Sequence, residues 1–290
     1  MQLVAVLQEN PAVLVGVVFV LGLLIGSFLN VVILRLPVMM EKAWRAEARQ
    51  LLELPTARED ERRFNLMVPR SACPECDHQI TWYENIPVIS WLALHGKCAH
   101  CGARISARYP FVELAAAITG SLAAVSVDPG LYLLFVLFAT WSLLAMAMID
   151  FDTTLLPDQL TYPFLWAGLL AAWLGVSPVP LHEAVLGAMI GYLILWGLYW
   201  TFKLLTGKEG MGYGDFKLLA GLGAWVGWQH LPVVLLLASV AGAFLGILLI
   251  QLGVVRRDQG IPFGPWLAAA GWITLLWGQE LVRNYLQMYS

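Results

Sequence analysis

Apolar and polar positions in this chain fall into blocks rather than alternating. Long apolar runs recur from residue 12 to residue 282, each judged against the roughly 20 apolar residues a helix needs to cross a bilayer. They predict about eight helical spans, at 12–34, 111–127, 131–149, 160–175, 183–202, 216–229, 232–253 and 264–282. The pattern breaks once, over 35–110, where a polar segment interrupts the runs. The first run is too long for a signal-peptide core and no basic residue precedes it, so it is read as a span rather than a cleaved leader. Within the break, 41–54 brings Trp44, Ala48, Leu51 and Leu52 onto one helical face, opposite Arg45, Arg49 and Glu53. This predicts an amphipathic helix, lying on headgroups, against the rest of the polar segment, or simply solvated on one face. The charge-dense stretch after it, 54–64, reads as a connector.

Composition sharpens the picture. The 290 residues are 59% hydrophobic and 13% charged, with a mean hydropathy of +0.71. A soluble chain this apolar lacks the polar side chains to cover its surface. The predicted fold class is therefore an all-α polytopic membrane protein, with residues 1–37 as the first span, 38–110 as a polar segment and 111–290 as seven further spans. Lysine and arginine set the orientation. Eleven of seventeen lie between Arg35 and Arg108; Lys203, Lys208 and Lys217 flank the loop after the fifth span, and Arg256 and Arg257 follow the seventh. Only Arg283 falls on the other side, which places the polar segment in the cytoplasm and both termini outside. Of the thirteen tryptophans, Trp82, Trp91, Trp225, Trp228 and Trp266 are expected to anchor helix ends at the interface.

The four cysteines all fall in the polar segment. Cys73 and Cys76 form one C-x2-C pair, Cys98 and Cys101 a second, and 21 residues separate them. Two such pairs can surround one tetrahedral ion. In the reducing cytoplasm a structural disulfide is disfavoured, so zinc is the predicted occupant, ahead of disulfides and iron. Four thiolates fill its coordination sphere, which makes the site structural and leaves His78, His95 and His100 as neighbours rather than ligands.

Acidic residues beside apolar spans are candidates for chemistry. Asp150 ends the third span on the cytoplasmic side, and Asp215 opens the sixth from the same side. The two are 65 positions apart in sequence yet predicted at one depth. Brought together, such a pair can hydrolyse an amide: one ionised carboxylate takes a proton from water while the other, protonated, donates to the carbonyl oxygen. Gly212 and Gly214, lacking Cβ, would let a neighbouring helix or an extended substrate approach. The plainer reading makes Asp215 the N-cap of its span, and Asp158 the cap of the fourth. Asp152, about 200° around the helix from Asp150, is expected to point away. Glu113 and Glu183 are read as interfacial residues.

Five stretches together resemble the type IV prepilin peptidases, bifunctional leader peptidases and N-methyltransferases of the bacterial inner membrane with a GxGD-type aspartate site. They are GSFLNVVILRLP (26–37), CPEC with CAHC, RYPFVELAAA (108–117), MIDFDTTLLPDQLTYP (148–163) and GYGDFKLLAGLGAW (212–225). The resemblance implies cleavage of prepilins and pseudopilins of type IV pilus and type II secretion systems after a glycine that ends a short basic leader. It implies methylation of the new N-terminal residue from S-adenosylmethionine, a catalytic pair at Asp150 and Asp215, and metal ligation by Cys73, Cys76, Cys98 and Cys101. Acidic Glu59, Asp60 and Glu61 are candidates to attract the basic leader. No residues are predicted for the methyl donor, since no G-x-G-x-x-G follows a strand. Membrane lipid is the expected surroundings and nucleic acid is not an expected partner. Two other readings stay open on the residues alone: a proton-coupled transporter using Asp150 and Asp215 as protonation sites, and a zinc-bearing assembly factor without chemistry.

Overall fold

A computed structural model describes residues 10–54, 63–208, 210–251 and 262–287. Glu59, Asp60, Glu61, Arg62, Arg256 and Arg257 lie outside the described residues. Helices carry the fold: α1 (Pro11–Leu51), α2 (Ile89–Ala93), α3 (Arg108–Ser126), α4 (Leu131–Thr153), α5 (Asp158–Trp173), α6 (Leu181–Thr206), α7 (Tyr213–Val226), a 3-10 turn (Trp228–His230), α8 (Leu231–Gln251) and α9 (Gly264–Gln287). Among the described residues the only extended pairing is two isolated bridges, Ala72 with Gln79 and Lys97 with Arg104.

Each predicted span is a helix, and five stretches are long and apolar enough to cross a membrane: Pro11–Leu51, Arg108–Ser126, Leu131–Thr153, Leu181–Thr206 and Trp228–Leu248. The other three differ for physical reasons. α5 has 16 residues and α7 has 14, so at 1.5 Å per residue α7 reaches only about 21 Å of a hydrocarbon core of roughly 30 Å. α9 is long enough, but its last turns carry Gln279, Glu280, Arg283 and Asn284. The amphipathic stretch at 41–54 is not a separate helix. It continues α1 through Pro37, and its apolar residues Trp44, Leu51 and Leu52 are exposed.

The chain divides into two compact units, Ala12–Leu122 and the part from Ala123 onward. In the first, Gly22 and Gly26 of α1 lie one helical turn apart and meet α3. A Cβ at either would come 2.6 Å from a Cα of α3, Ala117 and Glu113 respectively. Small residues at this spacing let helix backbones approach closely, the usual basis of helix association in lipid. In the second unit α7 lies among α5, α6 and α9, and eleven of its fourteen residues are buried. Gly187 and Gly191 of α6 form the same small-residue spacing against Leu219, Ala220 and Gly223 of α7. Phe164, Phe216, Leu219, Leu222, Trp225 and Leu267 supply much of the core around it. Trp225, expected at the interface, is 1% exposed and donates its indole N–H to the Phe164 carbonyl at 2.9 Å; Trp82 and Trp228 are exposed.

Candidate active site and metal centre

α4 continues three residues past Asp150 and ends at Thr154, whose left-handed backbone (φ 55°) lets its amide bond the Asp150 carbonyl at 2.8 Å. Asp150 itself is buried, at 5% exposure, while Asp152 on the same helix is exposed. This is the opposition the helical angle predicts. Asp215 is the third residue of α7 and 7% exposed. It is not the N-cap: Gly212 holds that position, and no side chain caps the helix. Asp158 is likewise inside its helix, after Pro157 at the cap, and it instead pairs with Lys217 of α7 at 2.6 Å. With the helix starting at Tyr213, Asp215 sits in its first turn, where backbone N–H groups favour a carboxylate.

Both aspartates lie beside glycines that share a neighbour, Leu156. A Cβ at Gly212 would stand 3.9 Å from Asp215 Oδ2, and Gly264 lies against the Asp150 carboxyl. Leu156 packs between the flanking glycines: a Cβ at Gly214 would lie 2.7 Å from Leu156 Cβ, and one at Gly264 would lie 3.2 Å from Leu156 Cδ1. A Cβ at Gly264 would also lie 2.5 Å from Asp150 Oδ2. Asp150 Oδ2 and Asp215 Oδ1 are both buried without a hydrogen-bond partner among the described residues. Buried polar atoms are nearly always paired, and exceptions mark groups kept for chemistry or strain. A pair of such oxygens, one on each carboxyl, can bind and polarise a water between them while a peptide carbonyl takes the proton.

The four cysteines converge in the other unit. Their sulfurs lie within 4.8 Å of one another, with Cys73 Sγ 3.8 Å from Cys101 Sγ and Cys76 Sγ 4.0 Å from Cys98 Sγ. A tetrahedron of zinc–sulfur bonds of about 2.3 Å has edges of about 3.8 Å, so the donor set fits that ion. The two pairs are built alike. Cys73 N–H bonds the His78 carbonyl and Cys98 N–H the Ala103 carbonyl, at 2.9 and 2.8 Å. The residue after each second cysteine, Asp77 and Gly102, takes a positive φ. Backbone amides of Cys101 and His100 lower the Cys98 thiol to about 6. At Cys76 the His78 amide favours the thiolate, but burial and the other three cysteines prevail and raise it to about 12. Four thiolates this close need a cation between them. His78 and His100 stack at 5.4 Å, and His78 also meets Glu84 at 3.3 Å, so both histidines are neighbours of the sulfur cluster.

Residues 20–127 match the Bacterial Peptidase A24 N-terminal domain, and residues 137–247 match the Type IV leader peptidase family. The chain belongs to the type IV leader peptidase family. Relatives named prepilin leader peptidase/N-methyltransferase include one from Aeromonas salmonicida, 58% identical over 95% of both chains, and one from Stutzerimonas stutzeri, 54% identical over 97% of this chain and 96% of its own. A third, from Pseudomonas aeruginosa, is 52% identical over 99% of this chain and 98% of its own. No solved structure matches. These relatives give no support to the transporter alternative. The cysteines fall in the first matched stretch and both aspartates in the second, whereas Gly264 lies beyond both. Gly264 and Leu156 were not singled out from the sequence, and neither carries a signal there: one is a glycine before proline, the other an apolar residue in a loop. Glu113, read as interfacial, is 7% exposed and accepts the Val88 amide at 2.7 Å.

Proposed function

We infer that this protein is a prepilin leader peptidase and N-methyltransferase of the bacterial inner membrane, working at the cytoplasmic face. Prepilins and pseudopilins are its substrates. In this reading residues 38–110 form a cytoplasmic segment held by zinc on Cys73, Cys76, Cys98 and Cys101, and the helices from 111 onward contain the protease. What supports it most is that Asp150 and Asp215, remote in sequence, are two buried carboxyls of one helical unit, each beside a glycine packed on Leu156, in a chain of this family.

The pair divides the work of hydrolysis. The ionised carboxylate draws a proton from a water as its oxygen bonds to the scissile carbonyl carbon, and the protonated partner gives its proton to the carbonyl oxygen. Collapse of the tetrahedral centre breaks the C–N bond, and the leaving amine takes a proton from the pair. Two carboxyls sharing one water-poor site disfavour double ionisation, which is what lets one act as acid and the other as base. Methylation then uses the new terminal amine. S-adenosylmethionine, when bound, would supply the methyl group to that amine once it is deprotonated.

Asp150→Asn and Asp215→Asn test the reading. Each preserves shape and removes one acid–base group, so each is expected to abolish leader cleavage, seen as loss of the mobility shift of a purified prepilin, while the protein still accumulates in the membrane. Normal processing by either variant removes the pair from the mechanism.

A further inference from the structure

Leu156, in the short loop between α4 and α5, packs against the backbone beside both acids. On one side it meets the residue next to Asp215: a Cβ at Gly214 would lie 2.7 Å from Leu156 Cβ, 3.4 Å from Cδ1 and 3.5 Å from Cγ. On the other it meets Gly264, where a single added methyl would touch both Leu156 Cδ1, at 3.2 Å, and Asp150 Oδ2, at 2.5 Å. The volume beside the carboxyls is thus already filled by Leu156, against two residues that have no side chain. Leu156 is only partly buried, so it still presents surface to an incoming chain. The loop that carries it is fastened at both ends. Thr154 is β-branched yet held at φ 55°, with its amide on the Asp150 carbonyl at 2.8 Å; such residues avoid this backbone state unless their surroundings hold them in it. At the other end Pro157 is buried and Asp158 pairs with Lys217 of α7 at 2.6 Å, while the Lys217 ammonium lies 5.2 Å from the Tyr162 ring centroid. One end of the loop is tied to Asp150 and the other to the helix of Asp215, so displacing the backbone at Leu156 disturbs one tie or the other.

Hydrolysis by the acid pair requires the scissile carbonyl carbon to stand beside both carboxyls. The Cβ of the residue that owns this carbonyl is only about 2.5 Å from that carbon, two bonds of about 1.5 Å at a tetrahedral angle. A side chain there enters the volume that Leu156 holds. We propose that Leu156 is a specificity-determining residue of the peptidase, which excludes any side chain from the substrate residue on the acyl side of the cleaved bond. The inference rests on the peptidase reading above and deepens it. Family resemblance implies a glycine at that place in the substrate; the packing names the residue that demands it, and enlarging the space should relax the demand.

The test uses the purified full-length protein in detergent micelles and two prepilins, the natural one and one whose glycine before the cleaved bond is replaced by alanine. The quantity read is the ratio of kcat/KM for the alanine substrate to that for the glycine substrate. A hydrophobic space discriminates a single methylene by about 10–200-fold, so Leu156→Ala is expected to raise the ratio at least about tenfold. Leu156→Val makes a smaller opening and is expected to raise it less. Looser packing around the acids lowers both rates together and leaves the ratio where it was, which separates a steric gate from a merely structural residue. An unchanged ratio in whichever of the two variants is active overturns the proposal, as does an unaltered protein that cleaves both substrates equally well. Loss of both activities in both variants makes Leu156 a packing residue and overturns it too. Failure of the peptidase reading looks different: the unaltered protein then cleaves neither prepilin, or Asp150→Asn processes the glycine substrate normally, and this inference falls with it.

Discussion

Gly264→Ala offers a sharp probe of the catalytic geometry, because it adds one methyl group next to one carboxyl. Its Cβ would stand 2.5 Å from Asp150 Oδ2 and 3.0 Å from Asp150 Cγ, whereas ordinary van der Waals contact begins at 3.4 Å. The carboxyl oxygen must therefore retreat by about 0.9 Å. It has little room to do so, since the added Cβ would also stand 3.2 Å from Leu156 Cδ1, Asp150 is buried and the adjacent Ile149 is fully buried. A misplacement near 1 Å in a catalytic constellation costs on the order of a hundredfold in rate. Gly264→Ala is accordingly expected to lower the kcat of prepilin cleavage about a hundredfold, with KM little changed, because the leader binds before the acids act. The assay is single-turnover cleavage of a purified prepilin in detergent micelles, followed by gel mobility, with a thermal melt to confirm folding. Gly197→Ala is the control: nothing lies within 4 Å of the would-be Cβ, and activity should match the unaltered protein. A folded Gly264→Ala enzyme within about twofold of normal kcat would refute the idea that this backbone positions Asp150.

Three further outcomes follow from other parts of the molecule. Gly187→Val places its branched side chain on the Gly223 carbonyl oxygen of α7; backbone cannot yield as a side chain can, so detergent unfolding should show at least the roughly 1–3 kcal/mol loss of an overpacked core. Cys73→Ser removes one of four sulfurs and should abolish stoichiometric zinc in elemental analysis; a purified parent protein without zinc would end the metal assignment. Glu84 accepts the Thr81 hydroxyl at 2.6 Å and the Thr81 amide at 2.8 Å, which hold its carboxyl below the usual value of 4.5. A group shifted down in the folded state contributes stability above about pH 4.5, lost as pH falls through its lower folded value. Glu84→Gln should flatten that acid limb in tryptophan fluorescence of the segment, and an unchanged limb would exclude Glu84 as its source.

The sequence by itself determined the helical blocks, the four-cysteine set and the two acids, because each is written in short-range order. Apolar run length marks a helix that can lie in lipid, C-x2-C spacing sets two sulfurs on one turn, and a carboxylate at the end of an apolar run declares its depth. Pairing Asp150 with Asp215 was legible only as a coincidence of level. Tertiary structure decided the rest. That α7 is too short to span alone but is enclosed by α5, α6 and α9 depends on glycines of α6 meeting α7 backbone, a contact no local pattern announces. Gly264 reaches Asp150 from 114 positions away, and Leu156 joins both glycines from a loop without periodicity. Glu113, read from the sequence as interfacial, is buried and accepts the Val88 amide from 25 positions away. In each case the deciding interaction joins residues distant along the chain, and its energy comes from close approach and desolvation that exist only once the helices have packed.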